Sequence, residues 1–258
     1  MKTTSFQSIR ELSYLVGLLS LLTVTLLVVG CTSSPPKTSN SGKPVDSSST
    51  LSAIIPVRND FVGSAACTEC HAKEAKEHAQ SGHATTLRPL SRKNLGDMAP
   101  PDGNIPNTDY AVASQGDVMG LATQGHPEAG IYPMQLVFGS GETGLTFVAV
   151  ESPTRLAEMR MSYFPARRKW YTTPGQEKDK NRAMGRMHEG DFPARCVLCH
   201  AVTLPKNSII PEQKFMGVGC ESCHGAGSAH INAVRTGNMG NLQMEPLKTA
   251  SGRRINEI

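Results

Sequence analysis

The sequence predicts a fold that is mostly helical and irregular, with one small antiparallel β insert. Glycine and proline are abundant, with 24 and 17 residues in a chain of 258, and both interrupt regular elements in favour of loops and short helices. Aromatic residues make up only 5% of the chain, so side chains alone would build a thin apolar core. We therefore expect a bound apolar group to complete the interior.

Local patterns place a helix early in the folded part and the β insert in its middle. Residues 72–80 are rich in Ala, Lys and Glu, which favour helix, and a break follows near Gly82. Within residues 130–172, two apolar segments at 134–138 and 145–150 are separated by a glycine-rich turn, and apolar and polar residues alternate afterwards. This pattern predicts an antiparallel β-meander.

The most specific feature of the chain is a motif that occurs three times, in which two cysteines at C-x-x-C spacing are followed at once by histidine. C-x-x-C-H is the attachment signature of c-type haem. The two thiols bond the two vinyl groups of one porphyrin, and the histidine becomes the proximal ligand of the iron. The motifs consist of Cys67, Cys70 and His71; Cys196, Cys199 and His200; and Cys220, Cys223 and His224.

Cysteine pairs at this spacing also occur in redox dithiols, disulfides and zinc sites. Those alternatives do not require the histidine that follows the second cysteine of every motif. After Cys31 the chain has no cysteine outside the motifs, so none is left for a separate disulfide framework. We therefore expect three covalently attached haems c and no zinc, in a haem-cored multihaem cytochrome c domain.

The charged residues give little information about which class of partner the protein binds. The formal net charge is +4, but each haem brings two propionates against one net positive iron–porphyrin centre, so the loaded protein is near neutral. We therefore expect no nucleic-acid partner. Two glutamates inside the motifs, Glu69 and Glu221, are expected to be solvated or to cap helices.

The amino terminus predicts export and a lipid anchor. Residues 1–30 combine Lys2 and Arg10 with a long apolar run that ends beside Cys31, as in a bacterial lipoprotein signal peptide. Cleavage there would leave Cys31 to carry lipid, and Thr32 in place of Asp favours the outer membrane over the inner. An uncleaved transmembrane helix stays as the alternative, because the run approaches the roughly 20 residues that span a bilayer.

Residues 31–58 predict a disordered tether between the anchor and the domain. They are rich in Ser, Thr, Pro and Lys, a composition that cannot bury enough apolar surface to fold. A flexible segment of this length has an r.m.s. reach of roughly 30 Å. Residues 59–258 then form the cofactor-binding domain, with the β insert at about 130–172.

Two patterns around the motifs resemble those of a known family. C-x-x-C-H followed by Ser-x-His83-Ala, and Gly-Val-Gly-Cys-Glu-Ser-Cys-His-Gly-x-Gly-Ser-x-His230, are similar to exported multihaem cytochromes c. These are related to tetrahaem electron carriers and hydroxylamine-oxidoreductase-like proteins. The resemblance covers about residues 60–250. It implies that His83 and His230 are distal iron ligands, each to a haem other than the one attached beside it.

The sequence does not identify which residue is the third distal ligand. His188, which precedes Cys196 by eight residues, is the leading candidate, and His78, His126 and the methionines follow it. Relatives of this type commonly carry a fourth C-x-x-C-H shortly after the third. Because this chain ends at Ile258, about where that motif would begin, we expect its carboxyl terminus to be truncated.

These features predict a membrane-tethered, periplasm-facing trihaem cytochrome that carries electrons between redox proteins or from quinol-linked donors. We expect an electron-transfer protein rather than an enzyme, and we assign no catalytic residue. The alternative is a multihaem oxidoreductase in which one haem keeps an open face and acts on a small nitrogen or sulfur compound. The two differ because an enzyme needs an iron position that substrate can reach.

Overall fold

Three antiparallel sheets and six short α-helices make up the described part of the computed structural model, namely residues 60–178, 184–240, 242 and 244. Strand is as prominent as helix, so the predicted mostly helical and irregular fold is wrong. The reason lies in the glycines, many of which serve turns between strands. Gly139 and Gly141, for example, adopt φ angles of 99° and 101°, which L-residues with a Cβ rarely reach.

The strands form one sheet of five, one of four and one of two. Their bounds are β1 Leu87–Pro89, β2 Gly103–Asn104, β3 Tyr110–Gln115, β4 Val118–Thr123, β5 Tyr132–Pro133, β6 Leu136–Phe138, β7 Thr146–Ser152, β8 Arg155–Met159, β9 Met161–Phe164, β10 Lys169–Thr172 and β11 Gly185–Glu189. The five-stranded sheet has the order β1-β6-β7-β8-β11, the four-stranded sheet has the order β2-β3-β4-β5, and β9 pairs with β10.

Strands are present where the alternation within residues 130–172 predicted them. β7 pairs antiparallel with β6 on one side and with β8 on the other. The sheet extends beyond the predicted insert, because β1 joins β6 through the pair Leu87↔Phe138 and β11 joins β8.

The hairpin of β3 and β4 was missed altogether. Val112 faces Leu121 across it, and its turn begins at Gly116 with a φ of 61°. A Gly-Asp pair between two alternating segments is a hairpin signal. The alternation here was weak because small residues such as Ala113 and Ala122 occupy many positions.

The helices are short. The third lies between β1 and β2, and the others precede the first strand or follow the last one. Their bounds are α1 Ser64–Thr68, α2 Ala72–Ala79, α3 Arg92–Leu95, α4 Asp191–Leu198, α5 Cys220–His224 and α6 Ser228–Arg235. α2 confirms the helix predicted over residues 72–80, and a separate 3-10 turn, His83–Thr85, follows the break near Gly82.

The β region has an apolar core of its own, built from side chains. Val112, Met119 and Leu121 of the four-stranded sheet pack with Val137 and Phe147 of the five-stranded sheet, and all five are almost fully buried. Burying each such side chain contributes about 1.5–3 kcal/mol. The thin core expected from composition therefore does not describe this part of the chain.

A second apolar cluster packs the helix of the second motif against the five-stranded sheet. Ala194 and Val197 of α4 are fully buried against Leu136, Val148 and Leu156 of the five-stranded sheet. This packing determines where the second motif sits relative to the β region. In the part of the chain that the structure describes, no helix is long and apolar enough to cross a membrane. The apolar segment before Cys31 lies outside it.

Candidate haem-binding site

Three short helices carry the first cysteine of each motif, and the second cysteine lies in the following turn in the first two motifs. Cys67 lies in α1, Cys196 lies in α4, and α5 spans the whole third motif from Cys220 to His224. Residues three apart on a helix share one face, so both thiols of a motif can meet one porphyrin edge. α5 ends at Gly225, whose φ of 78° turns the chain away after the histidine.

The first and third motifs are in direct contact. The thiols of Cys67 and Cys220 lie close enough to interact, and the backbone N–H of Cys220 donates to Oγ of Ser64 at 3.2 Å. Burial raises the pKa of Cys67 to about 11, and Cys220 and the Glu221 carboxylate add to the rise. The helices α1 and α5 thus bring two attachment sites side by side.

Glu221 joins these two motifs through a buried carboxylate that is 2% exposed. Its oxygens accept hydrogen bonds from the backbone N–H of Val62 at 2.9 Å, of Gly63 at 2.7 Å and of Gly227 at 2.7 Å. None of these donors belongs to the first turn of a helix, and neither α1 nor α6 has a side-chain cap, so Glu221 is buried rather than solvated and links chain segments instead of capping a helix. Glu69 is exposed, as a solvated residue would be.

The segment that leads into the third motif runs between the second motif and the turn that holds His83. The N–H of Gly217 donates to the carbonyl of His200 at 3.0 Å, and the N–H of Val218 donates to the carbonyl of His83 at 3.0 Å. The third motif therefore lies next to both of the others, and the chain gathers all three attachment sites into one region.

The histidine of the second motif sits in an apolar setting. The ring of Phe138 meets the ring of His200 edge-on, with centroids 5.1 Å apart. Burial lowers the pKa of His200, while the backbone of Thr86 opposes the shift. A neutral imidazole is the form that binds a metal, so this environment suits an iron ligand.

His71 of the first motif faces His230 of α6. Their ring centroids are 6.3 Å apart and the ring planes are inclined by 33°. Nδ1 of His230 also lies 2.9 Å from the carbonyl oxygen of Leu242. Of the three distal candidates, His230 is the one whose ring stands opposite a motif histidine.

His188 lies on β11, and a carboxylate already engages one of its ring nitrogens. Its Nε2 is 3.1 Å from Oε2 of Glu158, and its ring stacks on Phe192 with centroids 5.0 Å apart. Gln176 donates to the same carboxylate oxygen at 2.7 Å. Burial, followed by the negative charge of Glu158, raises the pKa of Cys196, which places this cluster beside the second motif.

His83 is exposed and lies in the 3-10 turn beside the third motif. Cys31, the signal segment 1–30, the tether 31–58 and the chain end all lie outside the described residues. The distal roles of His83 and His188 and the lipidation of Cys31 stay predictions.

The side chains of each motif are those that a haem c requires. Within the described ranges, no three metal-ligating side chains converge on one point. A protein zinc site takes three or four such ligands. A haem c needs only two cysteine thiols and one or two axial side chains, which each motif, with or without an opposed histidine, can supply.

Comparisons with known proteins give one family match and two similar solved structures. Residues 160–225, which hold the second and third motifs, match the family model described as cytochrome c554 and c-prime. The outer cell wall cytochrome OcwA is similar at 17% identity and a TM-score of 0.47, over 76% of this chain and 36% of that protein. An undecahaem cytochrome from the S-layer of Carboxydothermus ferrireducens is similar at 15% identity and a TM-score of 0.32, over 78% of this chain and 24% of that protein.

The chain thus spans 36% and 24% of the lengths of these two proteins. No curated protein sequence matches it significantly. The three haem-attachment motifs and the family match over residues 160–225 together support a multihaem cytochrome c.

Proposed function

We propose that this chain is a trihaem c-type cytochrome that carries electrons between redox partners. The observation that carries the proposal is the convergence of three C-x-x-C-H segments, with the third in contact with the other two. Cofactors held at adjacent sites would lie near one another, which is what electron transfer between them requires. Haem supplies the one-electron chemistry, as each iron alternates between its ferric and ferrous states.

The protein residues would position the cofactors. The six motif cysteines anchor the porphyrins, and the three motif histidines provide the proximal ligands. Glu221 ties the first attachment site to the third, and the packing of α4 on the five-stranded sheet holds the second. A rigid arrangement favours electron transfer because the sites need little reorganisation when their charge changes.

The location of the protein follows from its amino terminus. Export and lipidation at Cys31 would hold it at a membrane facing the periplasm, with the outer membrane favoured over the inner. Residues 31–58 would let the domain turn toward redox proteins or quinol-linked donors. Their flexible composition supports this role.

The mass of the mature protein tests both the proposed number of haems and the proposed lipidation of Cys31. We expect a polypeptide that begins at Cys31, carries lipid, and is heavier by three haems that survive denaturation. The double variant Cys196→Ala/Cys199→Ala should lose one haem, and Cys31→Ala should lose the lipid while keeping all three haems. Fewer than three haems in the parent protein, or zinc at stoichiometric amounts, would contradict the trihaem assignment.

A second function is favoured by one observation, the contact of His188 with Glu158. Because Nε2 of His188 faces a carboxylate at 3.1 Å, its binding to iron through that atom would require this contact to break. An iron left without a distal side chain could bind a small nitrogen or sulfur compound and act as an oxidoreductase.

Carbon monoxide distinguishes the carrier from the enzyme. In a carrier every distal position is filled, so the spectrum of the reduced protein should not change when carbon monoxide is added. The measurement is a titration of the dithionite-reduced protein, with nitrite and hydroxylamine turnover assayed in parallel. Rapid binding of one equivalent together with turnover of either compound would establish the enzyme instead.

A further inference from the structure

The geometry points to His230 as the distal ligand of the iron whose proximal ligand is His71. This inference rests on the proposed function, since it requires haem at the first motif, and it deepens that function by pairing two ligands that the sequence leaves unpaired. It also means that one short segment, Cys220–Arg235, attaches one haem and completes the iron coordination of another.

The distance between the two rings matches a shared iron. A metal–imidazole bond is about 2.0 Å long, and the bonding nitrogen lies roughly 1.1 Å from the ring centre, so two imidazoles on opposite sides of one metal have centres about 6.2 Å apart. The observed separation between His71 and His230 is 6.3 Å. His71 is exposed and His230 is only partly buried, so protein atoms do not enclose the pair.

The hydrogen bond of His230 leaves the correct nitrogen for the metal. A backbone carbonyl only accepts hydrogen bonds, so Nδ1 of His230, 2.9 Å from the oxygen of Leu242, must carry the proton. The lone pair of the neutral ring is then on Nε2. Ligating histidines commonly donate their other ring N–H to a carbonyl in this way, which sets the tautomer and the ring orientation.

α6 contacts the third motif and the segment before the first motif at its start, and it contacts the first motif at its end. At its start, Gly227 donates to Glu221 at 2.7 Å and Ser228 donates to the carbonyl of Asp60 at 3.2 Å. At its end, the guanidinium of Arg235 lies 3.4 Å from the carboxylate of Glu69. The contacts at the start of α6 hold His230 opposite His71 through the protein alone, since the exposed pair at its end contributes little, and the ligand pair is therefore preorganised.

The pairing closes the first haem to outside ligands. An iron bound by His71 and His230 is low-spin and has no free position, so any open haem would have to be at the second or the third motif. Bis-histidine ligation also gives a lower reduction potential than Met/His ligation.

The test combines His230→Ala with removal of the first haem. In the otherwise intact protein, His230→Ala should convert one ferric iron per molecule from low spin to high spin in the electron paramagnetic resonance spectrum. The reduced variant should bind one equivalent of carbon monoxide, and added imidazole should restore the low-spin signal. In a Cys67→Ala/Cys70→Ala background, the same replacement should add no high-spin iron. Asn232→Ala is the control, because Asn232 is an exposed residue of the same helix and is not a candidate iron ligand.

A second variant keeps the inference testable if the alanine variant loads haem poorly. His230→Met retains a ligand but should raise the potential of one haem, and only when the first motif is intact. An added high-spin iron or a shifted potential in the two-haem background would overturn the pairing. Fewer than three haems in the parent protein would instead overturn the proposed function, so the two failures are distinguishable by mass.

Discussion

Replacing Glu221 with alanine should destabilise the folded domain by about 3–5 kcal/mol, because three backbone donors would lose their acceptor and an unsatisfied buried donor costs about 1–3 kcal/mol. The donors are the N–H groups of Val62, Gly63 and Gly227. For a domain of this size the loss corresponds to a fall in Tm of roughly 10 °C. The measurement is denaturant unfolding of the haem-loaded protein, followed by far-UV circular dichroism.

Glu69→Ala is the matched control for this prediction. It removes a glutamate from the corresponding loop of the first motif, but its partner Arg235 is exposed and 3.4 Å away, and exposed ion pairs contribute about 0–1 kcal/mol. Glu221→Gln should fall between the two, since its amide offers one oxygen and places an NH2 group among donors. Equal stability of the Glu221→Ala and Glu69→Ala variants would show that water satisfies the donors and that the carboxylate does not link the motifs.

Replacing Gly217 with alanine should cost about 3 kcal/mol, the sum of a left-handed backbone penalty of about 1–2 kcal/mol and a steric term of similar size. Gly217 has a φ of +80°, and a Cβ built there would overlap the carbonyl oxygen of Ala84. The strain would separate the segment before the third motif from the turn that holds His83. We expect a lower denaturation midpoint and a shifted spectrum of at least one haem.

Gly125→Ala separates the two contributions. Gly125 has a φ of +76°, and no atom lies within 4 Å of the position that its Cβ would take. It should therefore lose only the backbone penalty, about 1 kcal/mol, and leave the haem spectra unchanged. If both variants lost the same stability, the close approach of Gly217 to Ala84 would have no energetic importance.

The elements that the sequence predicted well are those with a local signal. Residues 72–79 form α2 because Ala, Lys and Glu favour helix over a continuous stretch. The strands β6 and β7 follow from apolar segments on either side of a glycine-rich turn. The wrong fold class came partly from strands whose partners are distant, since β1 and β11 pair with β6 and β8 and have little pattern of their own. The local hairpin of β3 and β4 was missed because its alternation is weak.

The candidate site likewise contains some features that the sequence predicts and others that only the structure shows. The residues that would attach haem are evident from spacing alone, because the motif cysteines and their histidine must meet one porphyrin and therefore lie within one short turn. The burial of Glu221 had a weaker signal. A glutamate inside a motif can be solvated or buried, and the sequence does not say which backbone donors lie nearby.

The sequence by itself determined the haem-attachment chemistry, since the spacing of Cys67, Cys70 and His71 is a property of a single turn of chain. Only the tertiary structure decided which histidine faces His71. His230 reaches it through contacts between distant segments, such as the bond from Val62 to Glu221 across 159 positions. Distances of this kind depend on how helices pack and how buried donors are satisfied, and these are properties of the whole fold.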